Sequence, residues 1–224
     1  MGERTSARRR APVARVVRWG RGFSRRPPST HPHVPDTPTA APGVEPGKVS
    51  SRRVYTGKIV HLDIDTVRFP DGSTGDLEMF RHPGASAVVP FLSDPDGPDP
   101  QVLLIKQYRY AAGGYLYEIP AGRLDPDEDP AACAARELKE ETGCTAEKIE
   151  PLFTMLTTPG FTDERIHLFL ATGLTHGESA REEDEFVDIV VMRLSEALEL
   201  IQRGEIPDGK TALGILYAAG FMTG

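Results

Sequence analysis

The chain has 224 residues, of which 39% are apolar and 26% charged, a composition typical of a soluble globular protein with one domain and appendages. Nine arginines and one lysine against three acidic residues give residues 1–50 a net charge of +7, so residues 51–224 carry −14. The acidic body argues against binding along a nucleic-acid backbone, and no apolar run is long enough to span a membrane.

Residues 1–50 are rich in arginine, serine and threonine, and prolines recur from Pro27 to Pro46. Such a segment buries too little apolar surface to offset its ordering entropy, so we expect a disordered extension before a folded domain at 51–224. An arginine-rich, acid-poor start also resembles an organelle transit peptide. We favour an unstructured extension or a misassigned start codon, and two cysteines in the whole chain suggest a reducing, cytoplasmic compartment.

The first half of the folded domain is predicted to be rich in β-strands. Residues 59–69 and 77–81 read as a hairpin closed by an Asp71-Gly72 turn. Further strands are predicted at 85–92, 102–108 and 115–119. Beyond residue 144, strands are predicted at 149–157, 165–172 and 186–192, followed by helices at 195–203 and 211–221.

A helix is predicted between the two groups of strands. Asp129 is a good N-cap, Pro130 suits the first helical position, and Gly143 is a natural residue just past the end. The helix carries three carboxylates at positions 137, 140 and 141, which share one face.

Like charges at this spacing repel one another, and a divalent cation with oxygen ligands would relieve that repulsion. Spacing alone does not decide between a Mg²⁺ site and a solvated, charged helix face.

The string Gly204 to Thr211 (GEIPDGKT) satisfies the Walker A pattern for a phosphate-binding loop. That loop requires a preceding strand, whereas residues 195–203 read as a helix. Pro207 also lacks a backbone donor where the loop needs one. We interpret this string as a connection between helices.

The helix belongs to a longer pattern. Gly122, Glu128, Arg136-Glu137-Leu138, Glu140-Glu141 and Gly143 stand at the spacing of the Nudix box, G-x5-E-x7-R-E-U-x-E-E-x-G-U with U apolar. Every specified position matches, except that Cys144 stands where an aliphatic residue is usual. The chain therefore resembles the Nudix family over about residues 52–222.

The resemblance implies an α/β (α+β) fold, namely a three-layer α/β/α sandwich with a mixed β-sheet and an N-terminal antiparallel β extension. It also implies a Mg²⁺-dependent hydrolase, with Mn²⁺ as a second candidate. The metal ligands would be Glu137, Glu141, Glu140 and the backbone carbonyl of Ala121. Arg136 would orient the glutamates. Glu128 is either an outer-shell ligand or a first-turn residue favoured by the helix N-terminus.

The regions flanking the box resemble ADP-ribose pyrophosphatases. Pro159 stands 16 residues beyond Gly143, within a TPGFTDE string, and the strings QYR and EIPAG also resemble that subfamily. On the residues alone, Arg109 is a candidate phosphate clamp, and Glu164 could either accept hydrogen bonds from ribose hydroxyls or assist a metal. The alternatives are an ordinary turn at Pro159 and a surface ion pair at Arg109.

The resemblance places a catalytic base on the loop before the last strand, where Glu183 and Glu185 are both compatible. The alternative is a solvated acidic loop. No nucleophilic triad is apparent, which favours direct attack by water.

The combined prediction is hydrolysis of ADP-ribose to AMP and ribose 5-phosphate by a homodimer whose residues 52–82 help to build the partner's pocket. The alternatives are a broader nucleotide-sugar pyrophosphatase acting on ADP-glucose or GDP-mannose, and a non-catalytic nucleotide-sensing module. The three intact carboxylates argue against the sensor.

Overall fold

The computed structural model describes residues 43–177 and 187–222. Their strands are β1 Gly47–Thr56, β2 His61–Arg68, β3 Thr74–Arg81, β4 Ala85–Pro90, β5 Gln101–Arg109, β6 Gly114–Glu118, β7 Ala121–Arg123, β8 Cys144–Leu156, β9 Arg165–His176 and β10 Val187–Arg193. Their α-helices are α1 Pro130–Thr142, α2 Leu194–Gln202 and α3 Gly209–Met222, and Tyr110–Ala112 form one turn of 3₁₀-helix. None of these helices combines the length and the apolar character that crossing a bilayer would require.

The body is a mixed sandwich, as predicted. One sheet has the order β7-β4-β9-β8 and a second the order β10-β5-β6. Strand β4 pairs in parallel with β9 and antiparallel with β7. Its side chains alternate between two cores, because Ala87 and Val89 pack with residues of α2 and α3 whereas Val88 packs with Leu138 of α1. The predicted fold class, with helices on both faces of the sheet, is confirmed.

The N-terminal antiparallel extension is also observed. Strands β1, β2 and β3 form a separate sheet in that order. The predicted turn closes the β2–β3 hairpin, where the Asp71 carboxylate accepts hydrogen bonds from the backbone and hydroxyl of Ser73. Strand β1 begins at Gly47, so the boundary predicted at residue 50 falls inside a strand. Residues 1–42 lie outside the described ranges.

Helix α1 begins and ends where its capping residues predict. The Asp129 carboxylate accepts hydrogen bonds from the backbone N–H groups of Ala131 (2.9 Å) and Ala132 (3.2 Å). At the other end, Gly143 has a left-handed φ of 71° and donates its N–H to the Lys139 carbonyl.

Besides β1, which was not predicted, two strands of the body differ most from the sequence prediction. Strand β8 begins at Cys144, directly after the Gly143 cap and before the predicted start at 149, because its first residues pair with the end of β9 (Cys144 with His176). Strand β7 is only three residues long and was not predicted. Both strands depend on pairing with partners that are distant in sequence.

Candidate active site

The box residues open onto a cavity of about 1440 Å³. Its walls come from the N-terminal sheet, from β5 and β7, from α1, from the 157–164 segment and from the start of α3. One residue from each of six walls is Arg81, Arg109, Gly122, Glu137, Glu164 and Lys210. The fold therefore gathers residues that span most of the chain around one space.

Arg136 contacts three of the box carboxylates. Its Nε and Nη2 donate to the two oxygens of Glu128 at 2.9 and 3.0 Å, and its Nη1 donates to Glu137 (2.6 Å) and Glu140 (3.0 Å). The hydrogen bonds from Arg136 lower the pKa of Glu128 to about 2. Arg136 therefore offsets much of the like-charge repulsion on this helix face.

Glu141 is 3% exposed, and its Oε2 accepts a hydrogen bond from the backbone N–H of Ala121 at 3.0 Å. The predicted role of Ala121 concerned its carbonyl, and the contact seen is made by its amide. The next residue must be glycine, because a Cβ at Gly122 would overlap the Glu137 carboxylate. Strand β7 thus packs directly against the Glu137 and Glu141 carboxylates of α1.

The donor chemistry of this wall suits Mg²⁺. Ala121, Glu137, Glu140 and Glu141 all line the cavity and offer hard oxygen atoms. Within residues 43–177 and 187–222, no group of three or more His, Cys, Asp or Glu side chains is arranged as a ready-made metal cage. Mg²⁺ retains several waters and needs only one or two carboxylates, so this set of donors fits the ion.

Arg109 lies between the cavity and a buried glutamate. Its Nε and Nη2 donate to Oε1 and Oε2 of Glu118 at 2.7 and 2.8 Å. Glu118 is 2% exposed and also accepts from Lys210 Nζ at 2.5 Å. Burial acts to raise the pKa of Glu118, but the bonds and charges of Arg109 and Lys210 outweigh it and hold that pKa below its ordinary value. Arg109 is thus both an ion-pair partner and a cavity residue.

The segment around Pro159 contributes to the cavity at its two ends only. Thr157 and Glu164 line the wall, and the Thr157 hydroxyl donates to Glu164 Oε2 at 2.9 Å. His82 Nδ1 lies 3.5 Å from the other oxygen of Glu164. Pro159 is exposed in the turn between them and is not among the lining residues.

Glu183 and Glu185, the candidates for the catalytic base, lie outside the described residues. Two charged residues of the cavity region, Glu118 and Lys210, were given no role from the sequence. Glu118 belongs to the EIPAG string, and Lys210 belongs to the Walker-like GEIPDGKT string. They are 92 positions apart, however, and no local pattern joins them.

Most of this chain is similar to known proteins. The NUDIX domain profile matches residues 82–212. A methanol dehydrogenase activator from Bacillus methanolicus is 40% identical over 75% of this chain and 90% of its own length. An ADP-ribose pyrophosphatase from Bacillus subtilis is 38% identical over 78% of this chain and 92% of its own length.

A solved structure described as an ADP compounds hydrolase superposes with a TM-score of 0.68 at 19% identity, covering 80% of this chain and 95% of that one. At that identity the match shows a shared fold.

Proposed function

Because the chain belongs to the Nudix family of hydrolases, we propose that it is a divalent-metal-dependent pyrophosphatase that converts ADP-ribose and water into AMP and ribose 5-phosphate. The observation that carries the proposal is that one cavity of about 1440 Å³ has Glu137, Glu140 and Glu141 on one wall and Arg109 and Glu164 on others. The 38% identity to an ADP-ribose pyrophosphatase over almost its whole length supports the choice of substrate.

The residues that line the cavity are proposed either to bind the metal and the substrate or to hold other side chains in position. A bound divalent ion would supply Lewis-acid polarisation of the diphosphate and a water of lowered pKa. Glu137, Glu141 and Glu140, with the backbone of Ala121, would hold it. Arg136 keeps these carboxylates in place through its bonds to Glu137 and Glu140. Arg109 offers a fixed guanidinium to a phosphate oxygen.

Glu164 is proposed to accept hydrogen bonds from ribose hydroxyls. Its two oxygens already contact Thr157 and His82, so its position on the wall is set before a ligand enters. Pro159 is proposed to act indirectly, by shaping the turn that ends at Glu164. Glu183 and Glu185 remain the proposed bases, and replacing each with glutamine in turn would show which one kcat requires.

The decisive experiment compares the unchanged protein with the Glu141→Gln variant in Mg²⁺. Each is incubated with ADP-ribose, ADP-glucose, GDP-mannose, NADH and a nucleoside triphosphate, and products are separated by chromatography. We expect AMP to form fastest from ADP-ribose and to fall at least about a hundredfold in the variant. Faster release from a hexose conjugate would move the proposal to a broader nucleotide-sugar pyrophosphatase.

A second candidate function is regulation of another enzyme. The 40% identity to a protein named methanol dehydrogenase activator favours it. Nucleotide binding without turnover of any substrate in the panel would support that alternative and would contradict the proposed hydrolysis.

The protein is further proposed to act as a cytoplasmic homodimer. All ten residues of β1 are exposed, and they include the apolar Val49, Val54 and Tyr55 on an edge strand of the N-terminal sheet. Such an edge favours pairing with a second chain. Both cysteines are free thiols, which suits a reducing compartment such as the cytoplasm. Cell fractionation would test the proposed cytoplasmic location.

A further inference from the structure

The Walker-like string at the start of α3 connects that helix to the strand leading into the active site. Asp208 caps α3, because its Oδ2 accepts hydrogen bonds from the N–H (3.0 Å) and the hydroxyl (2.5 Å) of Thr211. The same hydroxyl accepts from the backbone N–H of Ile119 at 2.9 Å. Thr211 is completely buried. The string therefore tethers α3 to the end of β6.

Lys210, the residue before Thr211, is directed at the carboxylate of Glu118. Its side chain is 12% exposed, and its Nζ donates to Glu118 at 2.5 Å and to Asp208 at 3.0 Å. Glu118 in turn receives two bonds from Arg109. Two cations thus share one buried carboxylate, and Lys210 also pairs with Asp208 at the N-terminus of α3.

This sharing matters because Arg109 faces the cavity. Its bonds to Glu118 use two of the five N–H groups of the guanidinium, and its side chain is 42% exposed. With Glu118 as its only charged partner, Arg109 would form a pair of zero net charge and would attract an anion weakly. Asp208 also lines the cavity and adds a second negative charge beside Lys210. Lys210 therefore brings the net charge of these four groups from −1 to zero, which removes a repulsion toward an anionic ligand.

We infer that Lys210 is a positioning residue that offsets the charge of Glu118 and thereby leaves the guanidinium of Arg109 correctly oriented, and free of a net negative surrounding, for the diphosphate of the substrate. The inference rests on the proposed function, since it assigns a role around the same cavity. Lys210 acts through Glu118 and Arg109, and the string that resembles a nucleotide loop serves the diphosphate only indirectly.

The test uses Lys210→Met, with Lys210→Arg as the conservative variant and Lys148→Met as a matched control on an exposed lysine. Calorimetry would measure the Kd for ADP and for adenosine. Steady-state kinetics with ADP-ribose as substrate would give KM and kcat separately. We expect Lys210→Met to raise the Kd for ADP and the KM about tenfold, with kcat changed less than threefold and adenosine binding unaffected. Lys210→Arg should restore most of the affinity, and Lys148→Met should behave like the unchanged protein.

The double variant Lys210→Met/Glu118→Gln separates charge from packing. With Glu118 neutral, the net charge of the group returns to that of the unchanged protein, so ADP affinity should recover to within about threefold of the unchanged protein. Equal losses for ADP and adenosine, or a further loss in the double variant, would overturn the inference and indicate a merely structural role. Absence of AMP formation from ADP-ribose by the unchanged protein would overturn the proposed function and this inference together, whereas unaltered ADP binding in Lys210→Met would overturn the inference alone.

Discussion

At the scale of single residues, the active site depends on a few contacts that leave little room for change. Arg136 contacts Glu128, Glu137 and Glu140, so one guanidinium holds carboxylates that would otherwise repel one another. Gly122 lies so close to Glu137 that a side chain at this position is excluded. These contacts give a structural reason for an arginine at position 136 and a glycine at position 122.

Replacing Gly122 with alanine should displace the Glu137 carboxylate, because the new Cβ would occupy its position. We expect kcat to fall at least about tenfold and the Mg²⁺ concentration for half-maximal activity to rise. Gly160→Ala is the control, since a Cβ there meets nothing within 4 Å. Unchanged kinetics in Gly122→Ala would refute the contribution of Glu137 to the metal site.

The Arg136–Glu128 pair should make stability depend on acid pH. The pKa of Glu128 is about 2 in the folded protein, against about 4.3 for an unperturbed glutamate. The contribution of this carboxylate to the free energy of unfolding is therefore present above about pH 4.3 and is lost as the pH falls toward about 2.

Urea denaturation across this window should show the unfolding free energy of the unchanged protein falling by about 1 kcal/mol more than that of Glu128→Gln. Glu196→Gln, at an exposed position on α2, is the control. If the unfolding free energies of Glu128→Gln and of the unchanged protein fall in parallel with pH, the Arg136–Glu128 pair does not contribute to stability.

At the scale of elements, the 157–164 segment is held by the end of β3. The backbone N–H of Phe80 donates to the carbonyl of Phe161 at 2.8 Å, and the two rings meet edge to face with centroids 6.3 Å apart. Asp163 accepts from the N–H of His82 at 2.9 Å and from Arg81 Nη1 at 3.2 Å. The N-terminal sheet therefore determines where Glu164 meets the cavity.

Asp163→Ala removes both side-chain contacts and should loosen the segment that ends at Glu164. We expect the KM for ADP-ribose to rise about fivefold, with a smaller effect on kcat. Asp163→Asn is the matched variant, because it keeps an acceptor for the His82 amide and replaces the oxygen that faces Arg81 with an NH2 group that cannot accept. If the two variants are equally impaired, the Arg81 contact is the more important one. If neither is impaired, the anchoring role is wrong.

At the scale of the whole molecule, the N-terminal sheet both lines the cavity and presents an exposed edge. Lys58, His61 and Arg81 reach the cavity of their own chain, whereas β1 carries exposed apolar side chains along the opposite edge of the sheet. A second chain paired at this edge would bury that apolar surface.

Val54→Asp should dissociate the proposed homodimer, because it places a charge on β1 where apolar surface would be buried. Light scattering after size exclusion should give about twice the 24.5 kDa chain mass for the unchanged protein and the single-chain mass for the variant. Val191→Asp on β10 is the control, with similar exposure in a different sheet (47% against 50%). A monomeric unchanged protein would refute the dimer.

The sequence by itself determined what is encoded locally. The ends of α1 follow from Asp129, Pro130 and Gly143, because capping involves residues only a few positions apart. The shared face of Glu137, Glu140 and Glu141 follows from helical periodicity, and the box spacing identified the family. Most strands of the body were predicted within a few residues, since burial imposes apolar patterns on them.

Only the tertiary structure decided which distant residues meet. The bonds of Glu118 to Arg109 and Lys210, and those of Asp163 to Arg81 and His82, join elements that pack together after the chain has folded. The Walker-like string shows the difference most clearly. Its residues match a phosphate loop locally, yet the preceding helix and the buried contacts of Thr211 and Lys210 give it a different physical role.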